Sequence, residues 1–126
     1  MGLNIFYFIG YSIIPIIMLF FGIIFKNKSP RTINRFYGYR TSMSMKNKET
    51  WEFAHQYCGR LWIRLGLIML IISILLSLSV FIFNEEVHGI ISSILITIQT
   101  IALFVSIFPV EKELKKHFDE NGYRKD

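Results

Sequence analysis

Three long apolar runs alternate with polar segments along the chain. No charged side chain occurs within residues 1–25, 65–83 or 89–110. Each run reaches the roughly 18 residues that an α-helix needs to cross about 30 Å of hydrocarbon. The pattern predicts an all-α integral membrane protein with three transmembrane helices, at about residues 3–25, 61–83 and 88–110.

The predicted helices leave a polar loop over 26–60 and a charged tail over 111–126, so residues 1–126 form a single membrane domain. Apolar residues make up 52% of the chain and aromatic residues 16%, which is more than a soluble domain of 126 residues usually carries. The first run lacks a basic start and a small-residue cleavage pattern, so we interpret it as a retained helix and not as a signal peptide.

The charges of the connecting segments predict an orientation. The segment from Lys26 to Arg64 contains nine Lys or Arg residues but only two acidic residues, Glu49 and Glu52. The positive-inside rule therefore predicts that the 26–60 loop and the C-terminus are cytoplasmic, with the N-terminus and the 84–89 turn outside. The net charge of +5 follows from this topology, so we expect the lipid bilayer as partner and no direct binding of nucleic acid.

Polar residues inside the runs predict where the helices pack. Pro15 frees a carbonyl in the first helix, which a neighbouring helix or the Ser12 hydroxyl is expected to satisfy. Gln99 needs an interhelical partner in hydrocarbon. Small and hydroxylic residues predict the rest of the interface: Ser73, Ser77, Ser79, Gly89, Ser93, Thr97 and Thr100.

Local signals predict the structure of the loop and the tail. Ser29 and Pro30 are typical of a helix start, which predicts a short helical turn ending near Asn34. Ser44 or Asn47 is expected to cap an amphipathic helix that begins near Lys48 and continues into the second span. The tail is expected to be helical for two or three turns and to fray after Gly122.

The residue types that carry chemistry are sparse. Glu52, His55 and Cys58 recur at three-residue steps and could bind zinc, but no fourth ligand is evident. Cys58 with His55 lacks a third, orienting group for nucleophilic catalysis. Phosphate-loop and familiar hydrolase motifs are absent from the sequence. We predict no catalytic residue, metal site or cofactor.

The loop nevertheless holds residues that orientation in the membrane does not require. Gly38, between two tyrosines, predicts a turn with positive φ that directs the Arg40 guanidinium to one target. Trp51 and His55, one helical turn apart, are expected to face it. The candidate ligand- or partner-binding site comprises Asn34, Arg35, Tyr37, Gly38, Tyr39, Arg40, Thr41, Asn47, Trp51 and His55.

These same residues resemble the signature of a known family. The segment Ile33–Thr41, followed by Ser44, Asn47, Glu49, Trp51 and Ala54, is similar to the cytoplasmic signature of the SdpI family. The resemblance covers most of the chain and corresponds to the C-terminal three-span half of the best-known member.

The resemblance implies a multi-pass protein of the bacterial cytoplasmic membrane that gives immunity to a secreted peptide toxin which dissipates the membrane potential. It also implies a signalling role, in which a transcriptional repressor is held at the cytoplasmic face. A half-length chain of this kind is a possible homo-oligomer.

Two other function classes stay open from the residues alone. One is a small membrane enzyme or transporter that uses Arg40 to clamp an anionic lipid or metabolite, with His55 as acid or base. The other is a structural subunit of a larger membrane complex, docked through Gln99 and the small residues.

Overall fold

The computed structural model of the chain describes residues 2–34, 36–78 and 84–125, with residues 2–5 and 85 described by their backbone only. Regular structure in these ranges consists of four α-helices and a single β-bridge. The helices are α1 (Gly2–Asn27), α2 (Lys48–Leu78), α3 (Glu85–Val105) and α4 (Ile107–His117). Three helical stretches are long and apolar enough to cross a membrane, which confirms the predicted fold class.

Helix α2 begins at a reciprocal cap. The Asn47 side-chain oxygen accepts a hydrogen bond from the Thr50 backbone N–H (2.9 Å), and the Thr50 hydroxyl accepts one from the Asn47 N–H (3.1 Å). Two backbone donors of the first turn are thereby satisfied, as in a capping box. The helix then runs for 31 residues without a break, so the predicted amphipathic helix does continue into the second span.

Helices α1 and α2 approach each other closely through glycine. A Cβ atom at Gly59 would lie only 2.6 Å from the carbonyl oxygen of Gly22, so the contact between the two helices leaves no space for a side chain at residue 59. Small residues allow this approach, which maximises packing where no hydrophobic effect drives the association of spans. The extensive α1–α2 contact holds the end of α1 beside the start of α2.

One carbonyl of α1 joins three helices. Because Pro15 has no N–H, the carbonyl of Tyr11 loses its helical donor. The Ser73 hydroxyl (2.6 Å) and the Gln99 amide (3.1 Å) donate to it instead. The prediction that a neighbouring helix satisfies this carbonyl is confirmed, whereas the proposed donor Ser12 is wrong: its buried hydroxyl has no partner among the described residues.

The small residues of α3 do not form an interface. Ser93 and Thr97 are exposed, and their hydroxyls donate to carbonyls of α3 itself, at 2.9 and 2.8 Å. Among the described residues, no neighbouring atom lies within 4 Å of a Cβ built on Gly89. The prediction is therefore wrong for these positions of α3, because in-helix hydrogen bonding satisfies hydroxyls that sequence reasoning assigned to a neighbouring helix. Ser79, predicted to belong to the same interface, lies outside the described residues.

The third apolar run continues into a separate helix. Ser106 separates α3 from α4, and its hydroxyl accepts a hydrogen bond from the Trp62 indole at 3.0 Å. Pro109 lies in the first turn of α4, where a helix does not need the missing N–H. Helix α4 packs beside the first half of α2, where Val110, Leu114 and Phe118 are buried with Ala54 and Cys58.

The tail after α4 is folded, so the prediction that it frays is wrong. Phe118 forms a β-bridge with Arg124, and Asp119 accepts hydrogen bonds from the backbone of Asn121 and Tyr123, both at 2.9 Å. The Asn47 amide donates to the Gly122 carbonyl at 2.7 Å. The 26–60 loop and the tail therefore lie at the same end of the bundle, in agreement with the predicted topology, while which side of the membrane they face stays a prediction.

Candidate functional site

The signature loop, residues 34–41, begins with a turn held by Asn34. Its side-chain oxygen accepts hydrogen bonds from the backbone N–H groups of Phe36 (2.9 Å) and Tyr37 (2.6 Å), which is the geometry that makes asparagine favourable in turns. Residues 31–32 and 36–38 form bends. The helical turn predicted after Pro30 is therefore wrong: residues 31–32 bend, and the Asn34 amide donates to the Thr32 carbonyl at 3.1 Å, a local side-chain bond that competes with helix formation.

Gly38 brings the loop against α2. Its φ is +113°, in the region that favours glycine, and a Cβ atom there would lie 2.6 Å from the Nε2 atom of His55. The turn places the next backbone N–H, that of Tyr39, 2.8 Å from the same nitrogen. The positive φ predicted from the sequence therefore has a specific use, which is to present an amide to His55.

His55 is held as a neutral ring between two backbone groups. Its Nε2 atom accepts from the Tyr39 N–H, so its Nδ1 atom carries the proton and donates to the Trp51 carbonyl at 2.7 Å. The ring is fully buried against Trp51 and Phe25, with ring centroids 4.3 and 4.9 Å away. Burial lowers the pKa of His55, although the hydrogen bond to Trp51 partly opposes the shift.

Trp51 connects the same cluster to the end of α1. Its indole N–H donates to the Pro30 carbonyl at 2.9 Å, and its side chain is 1% exposed. Tyr37 lies on the outer side, with its ring centroid 5.8 Å from that of Phe25. Trp51 and His55 do face the glycine turn as predicted, but they contact it directly and leave no gap between.

Tyr39 connects the loop to α4. Its hydroxyl donates to the Glu111 carboxylate at 2.8 Å, and its side chain is 8% exposed. Burial and the neighbouring Glu111 raise the pKa of Tyr39 far above its usual range, so the hydroxyl stays a donor. The loop is thereby bonded through one residue to both α2 and α4.

Thr41 closes the loop. Its backbone N–H donates to the Ser44 hydroxyl (2.9 Å), while its own hydroxyl accepts from the Ser44 N–H (3.2 Å). The Ser44 hydroxyl also lies 3.0 Å from the Tyr39 carbonyl. The carbonyl of Tyr39 is thereby bonded to Ser44, while the N–H of the same residue donates to His55.

Arg40 is the basic side chain that the turn presents outward. It is exposed, and its Nε atom donates to the Asn34 carbonyl at 3.1 Å. Within the described residues its two terminal nitrogens have no further hydrogen bond or ion pair. Arg40 lines a groove of about 250 Å³ whose other walls are largely apolar: Phe25, Gly38, Tyr39, Thr41, Trp62, Leu103, Phe104 and Ile107.

The structure brings most of the predicted site residues together. Asn34, Tyr37, Gly38, Tyr39, Arg40, Thr41, Trp51 and His55 form one cluster. Asn47 lies apart from it, at the cap of α2 and against the tail, and Arg35 lies outside the described residues. Their role in binding stays a prediction.

Sequence reasoning missed two partners of this cluster, Glu111 and the Pro30 carbonyl. Glu111 is 72 residues from Tyr39, and its position just after an apolar run indicated only the end of a span. A backbone carbonyl carries no sequence signal at all. Only the tertiary structure could assign either partner.

The arrangement around Cys58 does not favour nucleophilic or metal chemistry. Burial raises the pKa of the Cys58 thiol to about 12, so it is not a thiolate at neutral pH. Both ring nitrogens of His55 are occupied by backbone partners. Among the described residues, no three His, Cys, Asp or Glu side chains are grouped in a way that could hold a metal ion.

Comparison with known proteins matches the same region. Residues 31–110 match the model of the SdpI/YfhL protein family. A protein of Bacillus subtilis (strain 168) named YfhL, described as uncharacterized, is 38% identical over 66 residues, which cover 52% of this chain and 60% of YfhL. The aligned region thus spans less than two thirds of that relative. No solved structure matches the chain.

The family match includes the whole signature loop and the two α2 residues that it contacts, Trp51 and His55. It also includes the residues of α3 and α4 through Val110. Together with three helical stretches that can cross a membrane, the match indicates a multi-pass bacterial membrane protein. The chain belongs to the SdpI/YfhL family.

Proposed function

We propose that this chain is an SdpI-like membrane immunity and signalling protein, which gives resistance to a secreted peptide toxin that dissipates the membrane potential. In this proposal the chain binds through the signature loop at the predicted cytoplasmic face, and the loop changes its contacts in response. The chain acts by binding and does not catalyse a reaction.

One observation carries the proposal: the family signature folds into a single junction between helices. Tyr39 alone contacts α2 through its backbone N–H and α4 through its hydroxyl. Trp51 adds the end of α1 through Pro30. A shift of any of these helices therefore changes bonds in the loop, as a conformationally responsive element requires.

In this proposal, the position of the Arg40 side chain at the protein surface changes when the contacts of the loop change. Its only bond in the described chain, to the Asn34 carbonyl, ties its position to the turn that Gly38 and His55 define. If the junction opens, the guanidinium moves with it. A partner at this face, such as a transcriptional repressor, would sense that movement.

The test is survival of a bacterial strain that is sensitive to a membrane-depolarising peptide of the kind that SdpI proteins counter. Expression of the wild-type chain is expected to raise survival and to preserve the membrane potential, followed with a potential-sensitive dye. Arg40→Ala is expected to abolish protection at an equal membrane level, because it removes the guanidinium that the described part of the signature turn presents outward.

Arg31→Ala is the matched control, since Arg31 is also an exposed loop arginine but has no part in the junction. It is expected to protect as the wild type does. Failure of the wild type to protect would contradict the immunity function. Full protection by Arg40→Ala would contradict the assignment of the site while leaving the function intact.

The groove beside Arg40 favours a second candidate, a small membrane enzyme or transporter for an anionic lipid or metabolite. Arg40, whose terminal nitrogens are unpaired among the described residues, lines a largely apolar groove of about 250 Å³, which suits a ligand with one anionic group. His55 is an unfavourable acid or base there, because both of its nitrogens are bonded to backbone. Turnover of a bound anion that Arg40→Ala abolishes would support this candidate over immunity.

A further inference from the structure

A second basic site lies on the opposite side of α2 from the signature loop. It is a cleft of about 330 Å³ between α2 and α4. Its lining is Phe53, Tyr57, Arg60, Leu61, Arg64, Glu113 and His117. None of these residues belongs to the cluster around Arg40.

Two arginines of the cleft stand on one face of α2. Arg60 and Arg64 are four residues apart, are both exposed, and make no hydrogen bond or ion pair within the described residues. Like charges at this spacing destabilise a helix unless an anion lies between them. Their guanidinium groups therefore offer up to ten unused N–H donors beside a single cavity.

The opposite wall carries one carboxylate. Glu113 on α4 lines the cleft, and its carboxylate lies 3.4 Å from the Nε2 atom of His117, one turn further along the same helix. Among the described residues it forms no ion pair with Arg60 or Arg64. The remaining lining is apolar or aromatic, with Phe53 and Tyr57 stacked at 6.4 Å and 9°. The cleft thus combines two arginines that are unpaired among the described residues with a partly apolar lining, which suits an amphiphilic anion.

The position of the cleft along α2 matches the depth of lipid headgroups. The predicted hydrocarbon part of α2 begins at about residue 61, between Arg60 and Arg64. Trp62, a residue type enriched at the membrane interface, donates to Ser106 at this level. A cleft at this depth on the predicted cytoplasmic side is accessible to a lipid from the inner leaflet.

We propose that Arg60 and Arg64 bind the phosphodiester headgroup of an anionic glycerophospholipid, such as phosphatidylglycerol. Paired guanidinium forks suit phosphate oxygens, and Leu61 and Tyr57 lie against the glycerol and the first acyl carbons. This proposal does not depend on the immunity function, because the site and its readout are separate from the signature loop.

The test uses the full chain purified in a neutral detergent and titrated with phosphatidylglycerol or phosphatidylcholine of identical acyl chains. Native mass spectrometry measures the fraction of protein with bound lipid. Phosphatidylglycerol is expected to bind more tightly, and Arg60→Gln with Arg64→Gln is expected to weaken its binding by on the order of 30-fold, from two basic side chains.

Two variants control for charge and for folding. Lys28→Gln with Arg31→Gln removes the same charge from a different surface cleft and is expected to leave lipid binding unchanged. Arg60→Lys with Arg64→Lys keeps the charge and removes the planar fork, so it is expected to weaken binding by several fold, and it tests the site even if the glutamine pair does not fold.

Four results would overturn the proposal. They are equal binding of the two lipids, equal loss in the Lys28/Arg31 control, unchanged binding in the lysine pair, and displacement of lipid by inorganic phosphate at constant ionic strength. The last result would assign the cleft to a soluble phosphate. Loss of lipid in Arg40→Ala but not in the Arg60/Arg64 variant would move lipid binding to the signature loop.

Discussion

Gly38 and His55 show how single residues determine the geometry of the signature loop. The glycine occupies a backbone conformation that other residues rarely adopt, and the histidine fills the space where a side chain at position 38 would lie. The two residues are therefore mutually dependent. Each supports a prediction at this scale.

Gly38→Ala is expected to lower the free energy of unfolding by about 1–3 kcal/mol, the usual cost of a side chain in a sparsely populated φ region. The new Cβ atom would also displace the His55 ring, which lies 2.6 Å away. Thermal unfolding of the detergent-solubilised protein, followed by circular dichroism, measures the effect. Gly10→Ala is the control, since none of the described neighbouring atoms lies within 4 Å of its Cβ position and alanine favours a helix. A similar loss in both variants would contradict the role of Gly38.

His55 predicts a pH dependence of stability. Its pKa is lower in the folded protein than the ordinary 6.5, so the unfolded chain binds more protons on acidification. The stabilisation is complete above about pH 6.5 and decreases as the pH falls toward the folded pKa. The melting temperature of the wild type is therefore expected to fall between pH 7.5 and pH 5 by more than that of His55→Gln. Because His88 and His117 are present in both proteins, parallel curves would rule out His55 as the source.

At the scale of helices, one carbonyl in α1 decides how the three spans are held together. Pro15 leaves the Tyr11 carbonyl free, and Ser73 of α2 and Gln99 of α3 converge on it. Gln99 also donates to the Ser73 hydroxyl at 3.1 Å. The proline is thus a site of interhelical bonding as well as a local break in the helix.

Removing both donors tests this arrangement. Ser73→Ala with Gln99→Leu is expected to lower the unfolding free energy in mixed micelles by about 1–2 kcal/mol, typical of interhelical hydrogen bonds in membranes. The loss should be smaller in a Pro15→Ala background, where residue 15 regains an N–H that can donate to Tyr11. Thr97→Ala is the matched control, because that hydroxyl bonds only within α3. An equal loss in both backgrounds would contradict the link to Pro15.

At the scale of the whole molecule, the loop, the start of α2, α4 and the tail form one packed layer at the basic end of the bundle. Tyr39, Ala54, Cys58, Val110, Leu114 and Phe118 form its buried core. Asn47 and Glu49 hold the tail, through Gly122 and Arg124 at 2.7 and 2.6 Å. This layer contains both the Arg40 turn and the Arg60/Arg64 cleft, so its orientation decides which side of the membrane both basic sites face.

Cysteine labelling can determine that orientation without first removing the native cysteine. Cys58 is fully buried and its pKa is raised to about 12, so it is expected to be unreactive in the folded protein. With a membrane-impermeant maleimide, Glu86→Cys is expected to label in intact cells. Asn121→Cys is expected to label only after permeabilisation, since both positions are exposed but at opposite ends of the bundle. The reverse pattern would invert the predicted topology.

The sequence indicated which residues come together in the candidate site, but not which atoms they bond. The sequence singled out Gly38 for positive φ and placed Trp51 and His55 opposite it, and both expectations hold. It could not indicate that His55 accepts a backbone N–H and has no free nitrogen. Side-chain type shows what a residue can bind, whereas only its neighbours show what it does bind.

By itself the sequence determined the number of spans, the continuous helix α2 and its cap, because hydrocarbon thickness and helix capping are local requirements that a short window of residues satisfies or fails. Only the tertiary structure decided the break at Ser106, the folded tail and the bonds of Tyr11, Tyr39 and Asn47. The bonds of these residues to Ser73, Gln99, Glu111 and Gly122 join positions 62 to 88 residues apart. Hydrophobic periodicity specifies which face of a helix is buried but not which distant donor meets which acceptor, so these contacts depend on how the helices pack.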